Sequence, residues 1–146
     1  MALSKDWREF LELLNSRGVD YVIVGAHSLA FHGCPRYTGD LDILIRPSPE
    51  NAAKIVPLLC DFGFGAADFK ESDFTEPEQL IQLGRAPNRI DLLTSISGVD
   101  TDTAFASKVP AELDKLAVFF LSKRLLIANK RAVGRPQDLA DLAELE

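Results

Sequence analysis

The chain has 146 residues, of which 47% are hydrophobic and 26% charged, a make-up that predicts one soluble domain with its own core. Its net charge of −6 excludes a surface that attracts nucleic acid as a whole, leaving only a local basic patch to hold phosphates. Charged residues interrupt every apolar run before it reaches the length of a membrane span. The opening residues Met1 to Asp6 lack the basic-then-apolar layout of a secretory signal. Cys34 and Cys60 are isolated and share no metal-ligand spacing. The expectation is a cytoplasmic protein with free thiols and no membrane partner.

In chain order, Leu3 to Arg17 reads as an amphipathic helix, with Trp7, Phe10, Leu11 and Leu14 at helical spacing and Gly18 as its stop. Tyr21 to Val24 is a short β-rich run, predicted to be a buried strand. Gly25 ends it, and Ala26 to Phe31 reads as a short helix closed by His32 and Gly33. Cys34 to Gly39 is a loop bracketed by Pro and Gly. Asp40 to Ile45 is the second strand. Ser48 is the predicted N-cap of a helix with Pro49 in its first turn, running to about Asp61 with Pro57 as a point of bending. Gly63 to Pro77 reads as irregular and mobile. Gln79 to Leu83 and Arg89 to Thr94 are predicted to form a hairpin turning at Arg85 to Asn88, with a helix over Pro77 to Leu83 as the alternative. Thr101 to Lys108 reads as helix and Leu116 to Leu121 as the last strand. Ser122 caps a helix through Ala132 that Gly134 ends, and Pro136 starts a final helix carrying Leu139, Leu142 and Leu145. These readings give one α/β domain over residues 1–146, with an N-terminal helix in 1–18 and C-terminal helices in 122–146.

The chemistry starts at Asp40-Leu41-Asp42. Alternation along a strand puts both carboxylates on one face with Leu44, while Leu41, Ile43 and Ile45 take the other. Two adjacent acids repel, and a divalent cation is the usual remedy. The plainer alternative is that they cap the strand or pair with Arg36. A third acid, Asp91, sits inside the apolar run Arg89 to Leu93, where an unpaired carboxylate is costly. If the two strands are neighbours, three acids can hold one or two Mg²⁺ ions, the arrangement that supports phosphoryl transfer. Otherwise Asp91 pairs with Arg89 or with another basic residue.

Val24-Gly25-Ala26-His27-Ser28 leads from strand to helix, where free backbone N–H groups favour an anion and Ser28 can add a hydroxyl donor. Lys123, Arg124, Lys130, Arg131 and Arg135 form a stretch free of acids, read either as a phosphate-facing patch or as a solvated helix face. Arg36 either orients Asp40 or touches a phosphate, and Thr38 braces the loop. His27 and His32 have no partner at zinc spacing, and His32 is expected to fix the loop through hydrogen bonds. The aromatic residues lie at core-like positions and form no base-stacking platform.

Taken in order, Gly25-Ala26-His27-Ser28, His32-Gly33, Arg36, Thr38, Asp40-Leu41-Asp42 and Asp91 resemble the nucleotidyltransferase superfamily of the DNA polymerase β type. The resemblance is closest to its small stand-alone bacterial branch, which includes minimal nucleotidyltransferases and abortive-infection toxins. Lys130 to Asp138 looks like that branch's C-terminal Lys-to-Arg-Pro-x-Asp segment, so the likeness spans roughly Tyr21 to Leu142. It implies a mixed β-sheet flanked by helices with a helical C-terminal end. It also implies transfer of an NMP from an NTP such as ATP to an acceptor hydroxyl, with release of pyrophosphate. Asp40, Asp42 and Asp91 would be the catalytic residues and the ligands of Mg²⁺ or Mn²⁺. Gly25, Ala26, Ser28, Arg36, Thr38 and Lys130 would contact the nucleotide. The acceptor would be a tRNA end, a protein or a small molecule, and a small protein partner in a toxin–antitoxin pair would be in keeping with the branch. One position departs: Ala26 stands where the family turn carries Gly or Ser, which removes a hydroxyl donor. The alternative function is a nucleotide-binding or regulatory module with little turnover.

Overall fold

The computed structural model describes residues 3–64 and 68–146. The sequence builds helix α1 (Lys5–Ser16), strand β1 (Tyr21–Val24), helix α2 (Gly25–Phe31), strand β2 (Asp40–Ile45), helix α3 (Pro49–Asp61), strands β3 (Leu80–Leu83) and β4 (Arg89–Leu93), helix α4 (Thr101–Ala106), strands β5 (Val109–Leu113) and β6 (Leu116–Phe120), and helices α5 (Lys123–Val133) and α6 (Pro136–Leu145). The six strands form one mixed sheet in the order β3-β4-β2-β1-β6-β5. β2 lies antiparallel to β1 and parallel to β4, and β6 lies parallel to β1.

Local chemistry accounts for most boundaries. The Ser4, Ser48 and Ser122 side chains accept amide hydrogen bonds at the starts of α1, α3 and α5, satisfying donors that a helix start leaves free. Ser4 as N-cap starts α1 at Lys5 rather than at Leu3. Gly134, at φ +66°, closes α5 in the left-handed conformation, where Gly carries no Cβ penalty. Alternation within β2 sorts the two cores. Leu41, Ile43 and Ile45 pack with Phe10, Leu11 and Ile55 of α1 and α3. Leu44 packs on the other face with Leu29, Phe105 and Leu126 of α2, α4 and α5. Asp40 and Asp42 share Leu44's face, at the end of β2 where α2 begins.

Three sequence expectations are corrected. Val109–Leu113 forms a strand that the reading omits and that shortens the expected helix at Thr101 to Lys108. Its hairpin with β6 turns at Asp114 and Lys115, both at positive φ, a two-residue turn that usually advertises itself by Asn or Gly. Within the stretch expected to be irregular, Glu71–Phe74 forms a 3-10 turn and Phe74 is completely buried in the core of α1 and α3; residues 65–67 of that stretch lie outside the described residues. Leu139 is 55% exposed, while Asp138 and Asp141 take the buried face of α6 with Leu142 and Leu145. Among the described residues no helix is long and apolar enough to cross a membrane.

Because Phe74 has no exposed surface, Phe74→Ala is expected to lower unfolding stability by about 3–5 kcal/mol in urea titrations. A loss below about 1 kcal/mol would show that this turn is not part of the core.

Candidate active site

The register of β2 against β4 assembles the acids. Asp42 lies directly opposite Asp91, and Asp40 opposite Arg89. One carboxylate oxygen from each of Asp40, Asp42 and Asp91 falls within 4.8 Å of the others. Arg89 spans the group: its Nη2 is 2.6 Å from Asp40 Oδ2 and its Nε is 2.9 Å from Asp91 Oδ1. Both sequence alternatives for Asp91 therefore hold at once, since it clusters with the other acids and pairs with Arg89. The Thr38 hydroxyl donates to Asp40 Oδ1 at 2.6 Å. The indole of Trp7 donates to the Arg89 carbonyl at 3.2 Å, tying α1 to the start of β4.

One guanidinium leaves three acids undercompensated. Burial pushes the Asp42 carboxyl from an ordinary 3.8 up to about 7, and the charges of Asp40 and Asp91 add to the rise. The close approach of the Asp91 carboxyl adds further. A site short of positive charge that offers three carboxylates fits a hard divalent cation. Gly25 makes room for it. A Cβ built there would fall 2.1 Å from Asp42 Oδ2, and its φ of +68° is one that side-chain-bearing residues seldom adopt.

Beside Asp42 and Asp91 opens a cleft of about 350 Å³. Leu80, Leu93, Ile96 and Val133 form its apolar part; Ser95, Ser97, Asn129, Lys130 and Arg135 form its polar part. The Asn129 amide donates to the Ser97 carbonyl at 2.9 Å, joining α5 to the loop after β4. Lys130 reaches the cleft from α5 while its Nζ lies 3.1 Å from Asp138 and 3.2 Å from Asp141. Asp138 also takes Arg135 Nε at 2.7 Å, and the Arg135 hydrogen bonds, chiefly, hold its carboxyl below the usual range. Asp141 is paired with Arg36 as well. Three cations thus surround two buried carboxylates, with one positive charge in excess.

The structure brings Gly25, Lys130, Asp42 and Asp91 together at one cleft, with Asp40 clustered behind the two acids rather than lining it. Thr38 acts on Asp40. Arg36 pairs with α6 through Asp141 rather than with Asp40. Ala26 and Ser28 do not line the cleft; Ser28 is completely buried. His32 Nε2 donates to the Leu121 carbonyl at 2.7 Å, in keeping with a loop-fixing role. The basic stretch divides: Arg131 pairs at the surface with Glu146, Lys123 and Arg124 are exposed, and Lys130 and Arg135 face the cleft. Sequence reasoning missed Arg89 as a shared partner of two acids, and Asp138 and Asp141 as anchors of Lys130. It also missed Ser95, Ser97 and Asn129, for which no local pattern gives a signal.

Asp42 generates a pH prediction. A carboxyl whose folded pKa is raised stabilises the fold at low pH, and that contribution is lost as pH rises through about 7. His27, buried and lowered in pKa, works in the opposite sense, so the comparison is with Asp42→Asn rather than with pH alone. In chelator-treated protein, the stability of Asp42→Asn relative to wild type is expected to rise between about pH 5 and pH 8, by roughly 1 kcal/mol or more. A pH-independent difference in calorimetry would contradict the assignment. Gly25→Ala is expected to weaken Mn²⁺ binding at least about tenfold in isothermal titration, because its Cβ displaces Asp42; unchanged binding would show that the close approach is dispensable.

No family model and no curated protein matches the sequence. Among solved structures, the chain is similar to that of a candidate nucleotidyltransferase from Thermotoga maritima. The two share 18% identity and a TM-score of 0.63, over 94% of this chain and 88% of that one. The likeness shows the fold: the mixed six-stranded sheet flanked by helices, with a helical C-terminal end, is shared with that neighbour.

Proposed function

We propose that the chain is a metal-dependent nucleotidyltransferase, moving an NMP from an NTP to an acceptor hydroxyl with release of pyrophosphate. The observation that carries this reading is the convergence of Asp40, Asp42 and Asp91, the latter two lining a cleft whose polar wall holds Lys130 and Arg135. Mg²⁺ or Mn²⁺ held by the three carboxylates would supply charge stabilisation at the phosphates. The chain's own residues supply the geometry. Thr38 and Arg89 hold the Asp40 carboxylate in one orientation. Gly25 lets the backbone lie against Asp42. Lys130 and Arg135 bring positive charge to the wall beside the acids, where phosphates would lie. In the transfer, the acceptor oxygen bonds to the α-phosphorus as the bond to the pyrophosphate oxygen breaks. The acceptor's proton leaves to a carboxylate or to solvent. The apolar part of the cleft offers a seat for a base. The acidic net charge of −6 favours a compact acceptor over a long nucleic-acid groove; a small protein partner, as in toxin–antitoxin pairs, is one source of such an acceptor.

A second reading has its own support. Arg89 already occupies oxygens of Asp40 and Asp91, and Ala26 lacks a hydroxyl, features that suit a nucleotide-binding module without turnover. Incubation with labelled NTPs, Mg²⁺ and a cell extract separates the two. The transferase reading expects label on an acceptor and a loss of at least about 100-fold in Asp42→Ala. No transfer, or equal transfer by Asp42→Ala, defeats it. Mg²⁺-dependent NTP binding without pyrophosphate release would establish the module instead. Arg135, with a side chain 68% exposed, can be removed without leaving Asp138 unpaired. Arg135→Ala is expected to raise KM for the NTP about tenfold with kcat nearly unchanged, and an unaltered KM would remove it from the nucleotide's contacts.

A further inference from the structure

The sheet register orders the site from one flank to the other. Val24, at the Gly25 turn, lies opposite Asp42, Asp42 opposite Asp91, and Asp91 opposite Gln82 of the edge strand β3. Residues directly opposite on neighbouring strands share a face. Burial agrees for β3: Ile81 and Leu83 pack into the core of α1 and α3, while Leu80 and Gln82 are exposed on the side of the acids. Among the described residues the Gln82 amide is committed to no other group. Gln82 is thus the polar side chain next beyond Asp91, on the flank away from Gly25.

The two flanks differ in charge. The wall toward α5 and α6 holds Lys130 and Arg135. From Pro77 to Gly84, and again from Thr94 to Gly98, the chain carries no Lys or Arg. Arg89 is bound to Asp40 and Asp91. On the β3 flank the cleft continues into a cavity of about 520 Å³, the two sharing Leu80, Leu93, Ser95, Ile96 and Ser97. Among the described residues, Glu78 is the one charged side chain lining it. Glu78 holds a φ of +59°, uncommon for a residue with a side chain. The Ser95 hydroxyl keeps it there by accepting the Glu78 N–H at 2.9 Å, and the Thr94 hydroxyl accepts the next N–H, from Gln79, at 2.9 Å. Backbone held in a sparsely populated region this way recurs at binding sites.

The chemistry of transfer assigns the flanks. Attacking and leaving oxygens stand roughly in line across the phosphorus. A triphosphate held by Lys130 and Arg135 sends its pyrophosphate toward those cations, so the hydroxyl attacks from the β3 flank. An acceptor bearing phosphates would meet Glu78 there and no free cation. The cavity has the size of a small-molecule site. We propose that the exposed face of β3 is the acceptor side of the site, with Gln82 hydrogen-bonding the acceptor, and that the acceptor is a small hydroxyl-bearing molecule free of phosphate. Its oxygen bonds to the α-phosphorus as the bond to pyrophosphate breaks, and its proton leaves to a carboxylate or to solvent. The base keeps the α5 side of the apolar wall, at Val133 and Ile96. This proposal rests on the transferase reading and goes beyond it in naming the acceptor's class and its contact.

The test divides a cell extract into small-molecule, RNA and protein fractions and incubates each with the full chain, labelled NTPs and Mg²⁺. Label is expected in the small-molecule fraction, in a product other than free NMP whose mass shows a single phosphate. Gln82→Ala, at an exposed position, is expected to lower that transfer about tenfold, with its thermal midpoint and its calorimetric affinity for Mg²⁺-NTP unchanged. Label on RNA or on protein, a product with further phosphates, or equal transfer by Gln82→Ala overturns the proposal and leaves the transferase reading standing. Lost NTP affinity in Gln82→Ala also overturns it, by placing Gln82 on the nucleotide's side. Label in no fraction removes the transferase reading, and this proposal with it.

Discussion

Like charges directly opposite on neighbouring strands are unfavourable, and the β2–β4 register sets Asp42 across from Asp91. A one-residue slip would relieve that repulsion but would also turn Leu41, Ile43 and Ile45 out of the core. The apolar face of β2 therefore locks the acids together. Arg89, opposite Asp40, offsets part of the cost by bridging Asp40 and Asp91. Asp42 has no such cation of its own and is left with a raised pKa. Gly25, Thr38 and the indole of Trp7 all converge on holding this arrangement in place.

The C-terminal helix belongs to the same site. Asp138 and Asp141 are completely buried, which costs heavily unless each is paired. Lys130 answers both, Arg135 answers Asp138 and Arg36 answers Asp141. Arg36 stands in the loop that leads into Asp40, and the Cys34 thiol of that loop donates to Glu144 at 2.9 Å. α6 thereby connects the approach to the acidic strand with the lysine on the cleft wall. Each acid has two cationic partners drawn from different segments, so the network favours a single arrangement of loop, lysine and helix.

Elements governed by local chemistry were legible in the sequence: capping serines, Pro49 at a helix start, Gly134 at a helix end and the alternation of β2. Asp40, Asp42 and Asp91 were legible as a group because acids inside apolar runs have few explanations. What escaped depends on contacts distant in the chain. β5 was hidden because Pro110 weakens its strand signal and its turn uses Asp114 and Lys115 in place of Gly. Leu139 looked like a core residue by periodicity. Cations from α5 and the α2–β2 loop instead make the carboxylates of α6 its buried partners. Ser95, Ser97 and Asn129 meet only because a loop and α5 pack side by side.

The central claim is that the three carboxylates form one cation site facing a nucleotide cleft. Its most direct test is a crystal structure with Mn²⁺ and a non-hydrolysable NTP analogue, the metal located by its anomalous scattering. The account predicts an anomalous peak bound by oxygens of Asp40, Asp42 and Asp91, Arg89 shifted from at least one of its carboxylates, and phosphates beside Lys130 and Arg135. Analogue bound elsewhere, or no metal at the triad while Arg89 keeps both its ion pairs, would contradict it.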